Sequence, residues 1–170
     1  MIKFPKFNAG FTLMEVMIVI AIISLMVGIA IPLMTTWIPE FRLRSAARDI
    51  ISCVQEVKMA AITKNENAVV VFDLSAGTCL SFLDNGEGVG GIKNDDVQNG
   101  SEPFLKNMNL PSGINLVSST FPVNTSGYFV CFNSRGLRPH GAVEGNIILR
   151  NSNMTSKKII INSAGTLRTE

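Results

Sequence analysis

The chain opens on two hydrophobic patterns of different kinds. Between Val16 and Met34 there is not one charged residue. Wound as a helix at about 1.5 Å per residue, this run spans roughly 28 Å, close to the hydrocarbon thickness of a bilayer. From Phe41 to Lys64 the pattern changes. Leu43, Ala47, Ile50, Val54, Val57 and Ala61 recur at alternating spacings of four and three, and Arg42, Arg44, Arg48, Asp49, Glu56 and Lys58 take other positions. That is one apolar stripe on an amphipathic helix, suited to packing on the protein's own sheet. Asn65 to Asn67 should end it. Pro32 and Pro39 lack a backbone donor and are expected to bend the helix or melt it locally. Trp37, between them, suits a membrane–water interface or a contact with another subunit.

After the helix the period drops to that of strands. Ala68–Leu74, Thr78–Leu83, Ile114–Ser118, Tyr128–Phe132, Asn146–Arg150, Lys158–Asn162 and Thr166–Arg168 are short, mostly β-branched or aromatic, and separated by Gly, Asn or Ser. Ser75–Gly77 reads as a tight hairpin connection. The expected architecture is α+β: a long N-terminal helix, transmembrane and then amphipathic, on an antiparallel sheet or two small ones. The organisation that follows is a leader at 1–10, an apolar helix at 11–34, its amphipathic continuation at 35–64, and a β-rich domain at 65–170.

Charge sharpens the picture at the N-terminus. The whole chain carries +2, and Lys3 and Lys6 account for it: without them thirteen basic side chains face thirteen acidic ones. MIKFPKFNAG is short, basic and ends on a small residue. A secretory signal would be cut after its apolar run; here the small residue precedes the run, so cutting after Gly10 keeps the anchor. Lys3 and Lys6 should stay cytoplasmic, which sends the remainder outward. Glu15 stands at the start of the apolar helix, where a carboxylate without a partner is costly. It can reach the headgroups or favour the helix N-terminus. Alternatively, once Gly10 is removed, the free amine of Phe11 on a neighbouring subunit can neutralise it.

GFTLMEVMIVIAI, from Gly10 to Ile22, resembles the class III signal of type IV pilins and type II secretion pseudopilins, in which Gly, Phe and Glu stand where Gly10, Phe11 and Glu15 stand here. Pro32 falls where many pilins carry a helix-kinking proline. The resemblance implies a pilin-like fold, cleavage by a prepilin peptidase between Gly10 and Phe11, and N-methylation of Phe11. It also implies assembly with other pilin or pseudopilin subunits, Glu15 pairing with the Phe11 amine of an adjacent one. The setting it implies is the bacterial inner membrane, crossed once with the C-terminal domain periplasmic, and then a pilus or pseudopilus. FLDNGEG, LPSGINL and the stretch from Phe132 to Arg168 are similar to the GspH/FimT-type minor pilins and pseudopilins, subunits thought to prime or cap filaments.

Some members of that group are implicated in DNA uptake through a Gly-Arg-x-Arg motif. The corresponding residues here are Gly165, Thr166, Leu167 and Arg168, with only the second Arg present. Six basic residues against two acidic ones follow Ser134, among them Arg135, Arg138 and Arg168, and such a face can attract phosphates. The second functional reading is thus a filament-tip module that captures DNA. The acidic, Gly-rich loop from Asp84 to Asn109 lacks the ligand spacing of a calcium loop and reads as a solvated hairpin tip. His140 lies in RPHG with no neighbouring Cys or His, so no metal site or cofactor is expected. Neither is an enzyme, since no nucleophile motif accompanies the Ser, His and Asp residues. Of the three cysteines, Cys79 and Cys131 fall in expected strands and Cys53 in the helix. A Cys79–Cys131 bridge is possible, with buried free thiols as the alternative.

Overall fold

The computed structural model describes residues 10–139 and 144–170. Its first element is one long helix, α1 (Leu13–Lys64). Nine strands follow: β1 (Asn67–Asp73), β2 (Thr78–Asp84), β3 (Phe104–Asn109), β4 (Ile114–Ser119), β5 (Val123–Asn124), β6 (Gly127–Phe132), β7 (Gly145–Asn151), β8 (Ser156–Ile161) and β9 (Leu167–Thr169). They form two antiparallel sheets, one ordered β3-β2-β1-β6-β5 and the other β4-β7-β8-β9. The chain divides into two compact units, Met1–Trp37 and Ile38–Glu170. In the second unit the helix and both sheets share a core.

The apolar stripe does what its spacing requires. Leu43, Ala47, Ile50, Val54, Val57 and Ala61 are all buried, joined by Ala46 and Cys53. They meet Ala68, Val70 and Phe72 of β1, Val130 and Phe132 of β6, Ile147 and Leu149 of β7, and Ile159 and Ile161 of β8. The charged residues Arg42, Arg44, Arg48, Asp49 and Glu56 are exposed, while Lys58 is half-buried. Lys58 donates from Nζ to the carbonyls of Ala164 and Gly165, both at 3.1 Å, and so fastens the helix to the turn before β9. The helix stops at Asn65, which takes the left-handed conformation (φ 56°). Glu66 N donates to Ala61 O and Asn65 N to Ile62 O, which caps two of the last carbonyls as a Schellman turn does.

β1 is the central strand of its sheet and is buried on both faces. Ala68, Val70 and Phe72 face the helix, whereas Val69 and Val71 join Phe82 and Cys131 in a smaller cluster on the other face. The β1–β2 hairpin turns on Asp73: its Oδ1 accepts from the backbone amides of Ser75 (2.8 Å) and Ala76 (3.0 Å) and from the Ser75 hydroxyl. Gly77 completes the turn at φ +64°, a conformation that costs a residue with a Cβ.

The structure narrows one expectation, corrects a second and adds a strand. Neither Pro32 nor Pro39 melts the helix, which is continuous through both; each removes one donor, and the turns on either side keep their own bonds. The Thr35 hydroxyl donates to Pro32 O at 2.9 Å. The stretch Asp84–Asn109 is not all loop, because β3 occupies its last six residues. β3 is an edge strand rich in polar side chains (Lys106, Asn107, Asn109), pairing on one side only, so it lacks the apolar alternation that marks a half-buried strand. β5, with two residues, was not expected at all.

Phe72 is fully buried between helix and sheet. Phe72→Ala should lower the unfolding free energy of the detergent-solubilised chain by about 3–5 kcal/mol, and Val123→Ala on the exposed edge by about 0.5 or less, as read by urea denaturation with circular dichroism. The hydrogen bonds from the Ser75 hydroxyl and then the Ala76 and Ser75 amides hold the Asp73 carboxyl below its ordinary value of 3.8. Its stabilising contribution is therefore complete above that value and lost as pH falls through the depressed one. The stability gap between the wild type and Asp73→Ala should be widest near neutrality and close in strong acid.

Candidate functional site

Gly10, Phe11 and Thr12 precede the first helical residue, and Phe11 is 81% exposed, so the Gly10–Phe11 bond lies in accessible, non-helical chain. Thr12 is the N-cap. Its carbonyl accepts the first helical bond, from Val16 N, and its hydroxyl oxygen accepts from Glu15 N at 3.2 Å. Thr12 and Glu15 therefore occupy the two positions of a capping box, a T-x-x-E pattern carried openly by the sequence. That arrangement places the carboxylate in the first turn, where the helix dipole favours it. Among the described residues Glu15 has no ion-pair partner. Lys3, Lys6 and the rest of the leader before Gly10 lie outside the described residues.

Every residue from Gly10 to Trp37 is exposed, including large side chains such as Met17, Ile20, Ile23, Leu25, Met26 and Ile29. The helix is long and apolar enough to cross a membrane, and nothing in its apolar window is buried. Soluble proteins seldom expose contiguous apolar surface on this scale. The polar groups inside the run bond within it: Ser24 Oγ donates to Ile20 O at 2.8 Å, as the Thr35 hydroxyl does to Pro32. Self-satisfied hydroxyls of this kind are what a hydrocarbon environment demands.

The acidic hairpin from 85 to 103 is ordered from within rather than merely solvated. Asp84 is fully buried and accepts from Asn94 N (2.6 Å) and Asp96 N (2.9 Å). Glu102, also buried, accepts from Gly86 N (3.0 Å) and Asn99 N (2.9 Å), and Asn99 in turn bridges Ile92 N and Asp95. Burial raises the Asp84 carboxyl above its usual range, with the two amides pulling the other way and Glu102 and Asp95 adding repulsion. These carboxylates are committed to backbone donors. Among the described residues no group of His, Cys, Asp and Glu could hold a metal ion, and His140 lies outside them.

Arg135, Arg138 and Arg168 do not form one basic patch of equivalent groups. Arg138 is half-buried, donates to Ile161 O at 3.2 Å and lies 5.0 Å over the Phe121 ring. Arg168 is exposed and paired with Glu170; Arg135 is exposed. Gly165, by contrast, is buried in the turn that Lys58 fastens. Arg138 shares a cleft with Phe121, Phe129, Cys131, Asp96 and Glu144. Burial pushes the Cys131 thiol far up, so it is neutral and a poor nucleophile.

The Cys79–Cys131 bridge is ruled out by strand parity. Cys79 pairs with Phe72 and Cys131 with Val69 on the same strand β1, three residues apart, so they project from opposite faces of the sheet. Cys79 belongs to the helix-facing core and Cys131 to the cluster behind it. The thiol that Cys79 meets is Cys53, on the helix, with Sγ to Sγ at 3.7 Å.

Comparison with known proteins bears on both halves of the chain. The prokaryotic N-terminal methylation motif matches residues 5–31. The fold resembles that of the type IV minor pilin FimU of Pseudomonas aeruginosa (TM-score 0.55, 12% identity, 77% of this chain and 90% of that one). It also resembles the minor pseudopilin EpsH from the type 2 secretion system of Vibrio cholerae (TM-score 0.53, 14% identity, 76% and 96%). No curated protein matches the sequence. The long helix on antiparallel sheets is thus the pilin fold, and the helix start carries the methylation motif.

The loop assignment has a local test. Asp84→Ala removes the acceptor for two amides, a loss of about 1–3 kcal/mol in each bond's local stability. Hydrogen exchange at Asn94 and Asp96 should accelerate by about tenfold or more, with the β1 amides unaffected. Unchanged exchange at both would show that Asp84 does not order the loop.

Proposed function

With the methylation motif and the minor pilin and pseudopilin fold as premises, we propose that this chain is a minor pilin or pseudopilin. It is made with a leader ending at Gly10, cut before Phe11 by a prepilin peptidase, and methylated on the new N-terminus. Residues 11–34 hold it in the bacterial inner membrane as a single span, with the β-rich domain on the periplasmic side. From there it enters, primes or caps a type IV pilus or a type II secretion pseudopilus, in contact with other pilin-like subunits.

The observation that carries this reading is the carboxylate of Glu15 in the first turn of α1, just before the uncharged and fully exposed run from Val16 to Met34. Placing a charge there is costly unless a cation arrives from outside the described chain. Cutting after Gly10 creates that cation at Phe11, four residues before Glu15. Within one chain the amine serves the helix start; between chains offset along a filament, the amine of one copy or relative faces the carboxylate of another. Cleavage and assembly then use one site. The capture of DNA through Arg135, Arg138 and Arg168 has less support, because Arg138 and Arg168 already bind groups of their own chain.

Removing one partner of a desolvated ion pair costs about 3–5 kcal/mol, so Glu15→Ala should reduce recovery of the chain in sheared filaments, or in crosslinks to other pilin-like subunits, by about a hundredfold or more. Circular dichroism and protease resistance of the β-rich domain should be unchanged, since Glu15 belongs to the other compact unit. Wild-type incorporation of the Glu15→Ala chain would refute the pairing.

A further inference from the structure

Only two of the three cysteines are in contact, and they join different elements. Cys53 lies on the buried stripe of α1 and Cys79 near the start of β2; both are essentially inaccessible to solvent. Their sulfurs are 3.7 Å apart, one thiol donating to the other. Strand parity keeps Cys131 on the opposite face of the sheet, so it cannot compete for either partner. From 3.7 Å, rotation about the two Cα–Cβ bonds is the motion that brings such a pair to bonding distance, without a change of register. Twenty-five residues lie between Cys53 and Cys79, including the end of the helix, all of β1 and the hairpin on Asp73.

We infer that Cys53 and Cys79 become a disulfide that ties the helix to the five-stranded sheet, leaving Cys131 as the chain's single free thiol. The inference rests on the proposed outward placement of the β-rich domain, because disulfides persist in the bacterial envelope and not in the cytoplasm. The bond forms while the chain folds, before helix and strand close over the sulfurs. Its oxidant is a disulfide, carried by an envelope oxidoreductase or by a small molecule such as oxidised glutathione. The thiolate of one cysteine attacks that disulfide, a thiolate of the oxidant leaves, and a mixed disulfide results. The second cysteine then attacks the sulfur of the first and expels the other half of the oxidant as a thiolate. Two protein thiols are oxidised, one disulfide is reduced to two thiols, and the two protons lost from the protein are taken up by the departing thiolates or by solvent.

In the folded chain Cys53 is the more readily ionised of the two thiols. The hydrogen bond from Cys79 lowers its pKa, with smaller help from Ser81 and the Lys106 ammonium, against the opposing effect of burial. Lys106 is held nearby, on β3, by its ion pair with Glu56 at 2.8 Å. Cys79, in contact with Cys53 and buried, is pushed well up. A closed loop that includes the helix end and the central strand removes chain entropy from the unfolded state, so the bond fastens the part of the domain that the shared core is built on.

The test counts thiols in the full-length chain. Protein extracted from membranes is quenched in acid, unfolded and alkylated with iodoacetamide without reductant; a second sample is reduced and unfolded, then refolded in detergent with oxidised and reduced glutathione before the same treatment. In the refolded sample one adduct, on Cys131, is expected, with a Cys53–Cys79 linked peptide lighter by two hydrogen atoms than the reduced pair. Cys131→Ser should keep the link and show no adduct, whereas Cys53→Ser should lose the link and show two. Three adducts in the refolded wild type, or a link that includes Cys131, would overturn the pairing. The membrane-extracted sample reads the placement separately: one adduct supports both, while three adducts there with one in the refolded sample would uphold the pairing and refute the outward placement.

Discussion

One helix here must satisfy two solvents. From Leu43 to Ala61 its buried positions follow a stripe about three and a half residues apart, which fits a helix with the protein's own core on one side and water on the other. From Leu13 to Trp37 the apolar residues go all the way round, and all are exposed. No fold of the β-rich domain could use such a surface, since a single stripe is all that packing on a sheet needs. The environment that suits it is lipid, or the equally apolar flank of another helix. The proposed cut respects this constraint: a peptidase site after the apolar run would discard the segment, whereas one at Gly10 would preserve it.

Within the β-rich domain, charge is organised by the backbone rather than by ion pairs. The described salt bridges lie on exposed or half-exposed side chains, where such pairs contribute little. The buried carboxylates Asp84 and Glu102 instead gather amides from a loop that has little regular structure and many residues in left-handed conformations. Lys58 acts in the same way at the other end, its ammonium capping two carbonyls of the turn before β9. These contacts replace the ladder bonds that irregular segments lack.

What was readable in the sequence was whatever repeats. The stripe from Leu43 to Ala61 and seven of the nine strands carry their period in the residues themselves, and their positions agree with the structure to within two residues. The pairing of two sheets on one helix followed from the same pattern. β3 was hidden because an edge strand can carry Lys106, Asn107 and Asn109 without burying them. The role of Asp84 was hidden because nothing local distinguishes a buried carboxylate at a strand end from a solvated one in a turn. The cysteine pairing failed for a plainer reason: both Cys79 and Cys131 lie in strands, but the face each one uses depends on register across β1, which is a tertiary fact. At the N-terminus the reverse holds. The methylation motif that includes Gly10, Phe11 and Glu15 was legible because its spacing is local, and even the Thr12 cap was present in the sequence as T-x-x-E.

The central claim is that the chain is shortened at Gly10 and keeps its apolar helix. Intact mass and N-terminal peptide sequencing of the protein extracted from bacterial membranes test it directly. The mature chain should begin at Phe11, carry one methyl group on its amine, and contain the whole helix from Leu13. A membrane-bound chain that still begins at Met1, or one that begins beyond Met34, would contradict the account.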